Sequence, residues 1–345
     1  MKRFFVGLLI LGFLTSCSSP GKPANSLNSK NAERNVLTNL PGKNGPVLAV
    51  KIDDTPPAHP QVGLASADVI YIEQVEGGLT RLAAIYSNVI PRAIGPVRSA
   101  RISDIEILAQ YGHLGFAFSG AQAKMYPVIA AANLENIGAE RNPPSIYSRD
   151  SSRPEPTNLF LDPAALLKKT IETEKKNIDI VKSVGWQFGS APDAHKFAQT
   201  SKAILSAKIH WPASKYEVKW SNIEKRWLIF YGGAPDMGSD GGQLGSPNFV
   251  IQIVPITDSI YHDKVGGITP FSNTVGSGSG YLLRDGKAIA IKWQRPVATA
   301  GTIWTLSDGS VAKFADGQVW IALTDQDPAF EFPPVIAATP SPSSK

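Results

Sequence analysis

Arg98 and Arg101 stand three residues apart where an amphipathic helix is expected to begin. Two guanidinium forks so close can hold a carboxylate or a phosphate, and free backbone N–H groups at a helix start add to the same attraction. Basic side chains at that end oppose the helix dipole by about 0.3–1 kcal/mol each, so the pair calls for an anionic ligand or an acidic partner. Glu73, Glu76 and Asp104 are the acidic partners within reach in sequence.

Glu73 and Glu76 carry a second chemistry, since two carboxylates at a suitable separation are what glycoside hydrolysis uses. The run VIYIEQVE, then Gly77-Gly78, then LTRLAAIYS reads as a hairpin on a two-residue primed turn. That turn pairs Glu76 with Leu79, Gln74 with Arg81 and Glu73 with Leu82. Glu76, Gln74 and Arg81 then share one face and Glu73 takes the other, so an acid/base pair needs a bulge. Without one, Glu76 and Arg81 form a diagonal ion pair. Arg81, Arg98, Arg101 and Glu76 are therefore the candidate ligand-binding residues, with Glu73 and Glu76 as candidate catalytic groups.

Other chemistries find weaker support. The five histidines, His59, His113, His195, His210 and His262, show no HxH or HExxH spacing, and no metal or cofactor is expected. Ser119-Gly120 follows a strand without the GxSxG elbow, and Ser310 to Lys313 has the SxxK letters inside an expected strand. The glycine run Gly276 to Gly280 lacks the lysine and helix of a phosphate loop and reads as a flexible or bulged β connection.

The elements that must position these residues follow from periodicity. VLAVKI (Val47–Ile52) is an expected buried strand stopped by Asp53-Asp54 and a proline-rich breaker. Ile102 to Tyr111 is an amphipathic helix ended by Gly112, its first turn starting at Ser99 or Ser103. His113 to Phe118 is another buried strand, Ala121 to Leu134 a helix kinked near Pro127, and Asp162 to Glu174 a capped helix. From about Lys208 the pattern turns to alternation, with Asp-Gly turns at 285–286, 308–309 and 316–317 suited to type I′ hairpins. The expected architecture is an α+β domain with a mixed sheet over residues 45–190 and a mainly-β domain over 205–328. The strand tryptophans Trp220, Trp227, Trp293 and Trp304 are expected in the core.

The N-terminus supplies an address. Lys2 and Arg3, an apolar run from Phe4 to Leu14, and Leu14-Thr15-Ser16-Cys17 form a lipoprotein signal (residues 1–16) with a lipobox. The run is shorter than the ~20 residues a spanning helix needs. Cys17 becomes the lipid-bearing residue, as in the bacterial lipoproteins the pattern resembles, and two or more acyl chains anchor stably. As the chain's one cysteine, it is then lost to disulfides and to thiol catalysis. Residues 17–44 read as a flexible tether and 329–345 as a disordered Pro/Ser tail. The expected location is the extracytoplasmic face of the cell membrane.

The 345 residues are 43% hydrophobic and 18% charged, as in ordinary globular proteins. A net charge of +5, without a Lys/Arg block, excludes a nucleic-acid arm. The expected partners are the membrane, through the lipid on Cys17, and an anionic wall polymer, peptide or envelope protein.

The phrases ADVIYIEQVEGGLTRLAAIYS and IGPVRSAR resemble the YerB-like family of bacterial lipoproteins, and SPNFVIQIVPI, TVGSGSGYLLRDGKAIAIKWQR and DGQVWIAL extend the resemblance into the second domain. It implies two domains and no settled activity. Members commonly carry Arg at the position of His59 and Glu at that of Ile72.

Overall fold

The computed structural model describes residues 32–193 and 196–334. The leader, Cys17, the first part of the tether, His195 and the last eleven residues lie outside the described residues.

Five short strands open the fold: β1 (Leu48–Asp53), β2 (Val69–Gln74), β3 (Thr80–Tyr86), β4 (Leu114–Ala117) and β5 (Leu134–Asn136). A small pair follows, β6 (Tyr147–Arg149) and β7 (Leu159–Leu161). Helices α1 (Ile102–Leu108), α2 (Tyr126–Ala131) and α3 (Pro163–Leu167) occupy the same region. Beyond residue 200 the chain is nearly all strands: β8 (Ser201–Ala203), β9 (Ser206–His210), β10 (Lys215–Ser221), β11 (Arg226–Tyr231), β12 (Ala234–Pro235), β13 (Gly245–Ser246) and β14 (Asn248–Ile253). Then come β15 (Ile256–His262), β16 (Ile268–Ser272), β17 (Gly276–Arg284), β18 (Lys287–Arg295), β19 (Ile303–Thr305), β20 (Val319–Thr324) and β21 (Ala329–Glu331). Helices with a mixed sheet followed by a β-rich region is the architecture the periodicity predicts.

Strands of both regions share one 11-stranded sheet, in the order β19-β18-β17-β14-β20-β2-β3-β1-β4-β5, with β8 on β18. The junction is the parallel pair β2 and β20, Val69 against Val319 to Ile72 against Ala322. β1, β2, β3 and β20 are buried on both faces, which explains their continuous apolar runs. The two apolar layers each draw residues from both regions of the chain. Trp227, Trp293 and Trp304 lie in these layers, and Trp220 packs against one of them.

The hairpin at Gly77-Gly78 corrects the expected register. Glu73 lies opposite Arg81, Gln74 opposite Thr80 and Ile72 opposite Leu82. The loop is longer than two residues, because Glu76, Gly77 and Gly78 form a 3-10 turn closed by the bond from the Val75 N–H to the Leu79 carbonyl at 2.8 Å. Gly77 and Gly78 both take positive φ, 69° and 72°, which only glycine adopts without strain. The slip of one residue moves Arg81 to the face of Glu73 and leaves Glu76 at the loop.

Of the Asp-Gly turns, only Asp285-Gly286 has both residues at positive φ, joining Arg284 to its partner Lys287. At Asp308 the carboxylate instead accepts from the Ser310 N–H at 3.0 Å, a side-chain turn that replaces the primed one. Gly317 precedes β20, which is parallel to both of its neighbours, so no hairpin forms there.

Helix α1 begins at Ile102 with Arg101 as the capping position, and the Asp104 carboxylate accepts the Arg101 backbone N–H at 2.6 Å. This replaces the expected start at Ser99 or Ser103. Residues 33–44 are folded, which corrects their assignment to the tether, and Ala329–Glu331 form β21 against β9, which corrects the start of the expected disordered tail. Leu37 is fully buried, Asn35 bonds Ser87 Oγ at 2.9 Å, and Arg34 pairs with Asp316 at 2.7 Å. One well-packed leucine and a buried asparagine anchor a segment whose composition is that of a linker.

Candidate functional site

Arg81, Arg98, Arg101 and Glu76 line one cleft of about 530 Å³. Arg81 comes from the start of β3. Arg98 and Arg101 come from the segment before α1, which is stitched in place by three backbone bonds: Arg98 N–H to the Lys51 carbonyl at 2.8 Å, Ser119 N–H to the Arg98 carbonyl at 2.9 Å, and Ala100 N–H to the Gly120 carbonyl at 2.9 Å. Glu76 comes from the Gly-Gly loop. The opposite wall is the tip of the β15–β16 hairpin, His262 to Val265 with Thr269.

Two of the arginines have acidic partners. Arg98 Nε lies 2.6 Å from Asp53 Oδ2, and Arg101 Nε lies 2.7 Å from Glu76 Oε1. Thr269 also donates its hydroxyl to Glu76. Burial raises the Glu76 pKa, but Arg101 and Thr269 outweigh it and hold the carboxyl below its ordinary range. Asp53 is itself fixed by the N–H of Thr55 at 2.9 Å. Sequence reasoning missed Asp53 as a partner, although its place at the abrupt end of β1 was visible.

Arg81 is different. It is only 8% exposed, and its recorded hydrogen bond is to a neutral acceptor, the Ser99 carbonyl at 3.0 Å. No carboxylate among the described residues lies within ion-pair distance of it. Burial, with the charges of Arg101 and Arg98 beside it, outweighs the opposing charges of Glu76 and Asp53 and pushes its pKa down to about 9. That is the electrostatic mark of a buried cation short of counter-charge.

Glu73 does not line this cleft. It is fully buried and touches Lys51 Nζ, which also contacts Asp104 Oδ1 at 2.8 Å. Burial lowers the Lys51 pKa to about 8, against the opposing pull of Asp104. Glu73 and Glu76 therefore do not converge on a shared space, and the geometry that two-carboxylate hydrolysis requires is absent from this pair.

A second buried polar group lies at the contact between β11 and the breaker after β1. His59 Nδ1 is 2.8 Å from Asp236 Oδ1, its Nε2 is 3.4 Å from Asp54 Oδ1, and its ring stacks on Tyr231 at 4.3 Å. Tyr216 donates to Asp54 at 2.7 Å. Burial alone would lower the His59 pKa, but the bonds to Asp236 and Asp54 raise it to about 10. Two buried carboxylates thus demand a cation at position 59. The sign is that of a raised base: the stabilisation is complete below the ordinary pKa of 6.5 and is lost as pH rises through 10. His59→Gln is expected to cost ~3 kcal/mol near pH 6. In denaturant titrations the gap to wild type should close progressively toward pH 10, and a gap independent of pH would contradict this account.

Among the described residues no group of three or more His, Cys, Asp or Glu is placed to hold a metal ion. No helix among them is long and apolar enough to cross a membrane.

The chain resembles known proteins over most of this structure. The protein of unknown function DUF3048 matches as an N-terminal domain over residues 37–178 and as a C-terminal domain over residues 207–321. The Bacillus subtilis (strain 168) protein "Putative lipoprotein YerB" is 24% identical over 278 residues, covering 79% of this chain and 80% of that one. The crystal structure of YerB protein from Bacillus subtilis superposes with a TM-score of 0.71 at 20% identity, covering 85% of this chain and 97% of that chain. With both domains matched in order along one chain, this protein belongs to the two-domain DUF3048 family, whose function is unknown.

Proposed function

We propose that this chain is a lipid-anchored envelope protein that binds, without transforming it, an anionic group of a wall polymer, peptide or partner protein in the Arg81–Arg98–Arg101 cleft. The observation that carries the reading is Arg81: a buried guanidinium, facing a cleft, with no carboxylate among the described residues in ion-pair contact with it. Arg98 and Arg101 flank it but are held by Asp53 and Glu76, so they shape the site and share an incoming charge. The lipid on Cys17 would keep the protein at the extracytoplasmic membrane surface, in keeping with the lipoprotein description of the Bacillus relative. The sealed position of Glu73 supports binding over hydrolysis.

The test is co-sedimentation of the protein with purified cell-wall sacculi, with mass spectrometry of the supernatant. Wild type should sediment and release nothing, whereas Arg98→Ala/Arg101→Ala should stay in solution while folded. Equal sedimentation of the folded double variant would reject this site, and released muropeptides or glycans would reject the non-catalytic reading.

A further inference from the structure

We infer that the Arg81 cleft selects a singly charged carboxylate carried on a small apolar group, the chemistry of a free peptide C-terminus, over a doubly charged phosphate. This rests on the anion-binding reading above and names the ligand class.

Three guanidinium groups face the cleft, and the carboxylates of Asp53 and Glu76 already engage two of them at 2.6 and 2.7 Å. Lys264 and Asp263 at the hairpin tip offset each other, so what remains is about one positive charge, which falls to Arg81 as the guanidinium without an ion pair. One negative charge completes the site. A second would lie against Asp53 and Glu76 where Arg81 is only 8% exposed, so water screens the repulsion poorly.

Arg81 spends one terminal amino group on the Ser99 carbonyl, and its remaining donors form a planar edge suited to the two oxygens of a carboxylate. Val75, Leu79, Ala121 and Met125, with Val265 at the hairpin tip, form aliphatic stretches of the lining beside polar positions such as Gln122 and Lys264. These surfaces suit a methyl or short alkyl group beside the acid.

Calorimetric titration of the full chain in detergent micelles, at about pH 7.5 where phosphate is largely dianionic, separates the possibilities. The probes are N-acetyl-Ala-Ala with a free carboxylate, its C-terminal amide, and inorganic phosphate. The acid should bind, the amide at least ~30-fold more weakly, and phosphate at least ~10-fold more weakly than the acid. Arg81→Gln, with native circular dichroism, should lose the acid. Phosphate binding as tightly as the acid overturns the carboxylate selectivity and leaves anion binding intact. Equal binding of acid and amide, or undiminished binding by Arg81→Gln, overturns the inference. Silence from all three probes contradicts both this inference and the function it rests on.

Discussion

Replacing Arg81 by methionine abolishes ligand binding and leaves the fold as stable as wild type, or more so. Buried charges in proteins are normally paired, and an unpaired one is costly. Arg81 is buried beside two other guanidinium groups and donates to one neutral carbonyl. Methionine fills similar space and removes both the burial cost of the charge and the repulsion with Arg101 and Arg98, which offsets the lost attraction to Glu76 and Asp53 and one charge-assisted hydrogen bond worth about 1.5–3 kcal/mol. For the ligand the change removes the uncompensated charge, and deleting one partner of a buried charged pair costs about 2–5 kcal/mol, or ~30-fold to several thousand-fold in affinity. Denaturant unfolding alongside calorimetry with the best ligand checks both halves. A variant several kcal/mol less stable than wild type would show that Arg81 is a structural residue.

Lys51 behaves in the opposite way. It is fully buried, and its ammonium is the cation that touches both Glu73 and Asp104. Lys51→Met leaves two carboxylates buried without it, and breaking a buried pair by removing one partner costs about 3–5 kcal/mol. Much of that should return in Lys51→Met/Glu73→Gln, because the second change removes one of the stranded charges. Asp104 also holds the Arg101 backbone N–H at 2.6 Å, so the single variant should loosen the cleft as well as the core. Chemical denaturation of the two variants measures this directly. A single variant within 1 kcal/mol of wild type, a threshold below the usual cost of such a change, would contradict the account of the triad.

The cleft was legible in the sequence because its residues are local. Arg81 and Glu76 flank a Gly-Gly turn, and Arg98 and Arg101 precede an amphipathic helix, so one hairpin and one helix start bring all four together. The exact register was not legible. A two-residue and a three-residue loop are written with the same Gly-Gly letters, and the difference decides whether Arg81 faces Glu73. Nor could the sequence show that Asp53 serves Arg98, since that depends on where β1 ends beside Val97. The hairpin wall of the cleft comes from residues 262–269, far along the chain. Alternation also made the second region readable as strands, but it could not show that β20 inserts beside β2 and fuses both regions into one sheet. In the segment 33–44, composition pointed to a tether, and a single buried leucine with specific hydrogen bonds outweighed it.

The most direct test of an anion site at Arg81 is a crystal structure of the protein grown with N-acetyl-Ala-Ala. The account predicts a carboxylate seated on the free edge of the Arg81 guanidinium at about 2.7–2.9 Å, with Arg98 and Arg101 still paired to Asp53 and Glu76. A cleft in which Arg81 instead turns onto one of those carboxylates, with the peptide bound elsewhere, would contradict it.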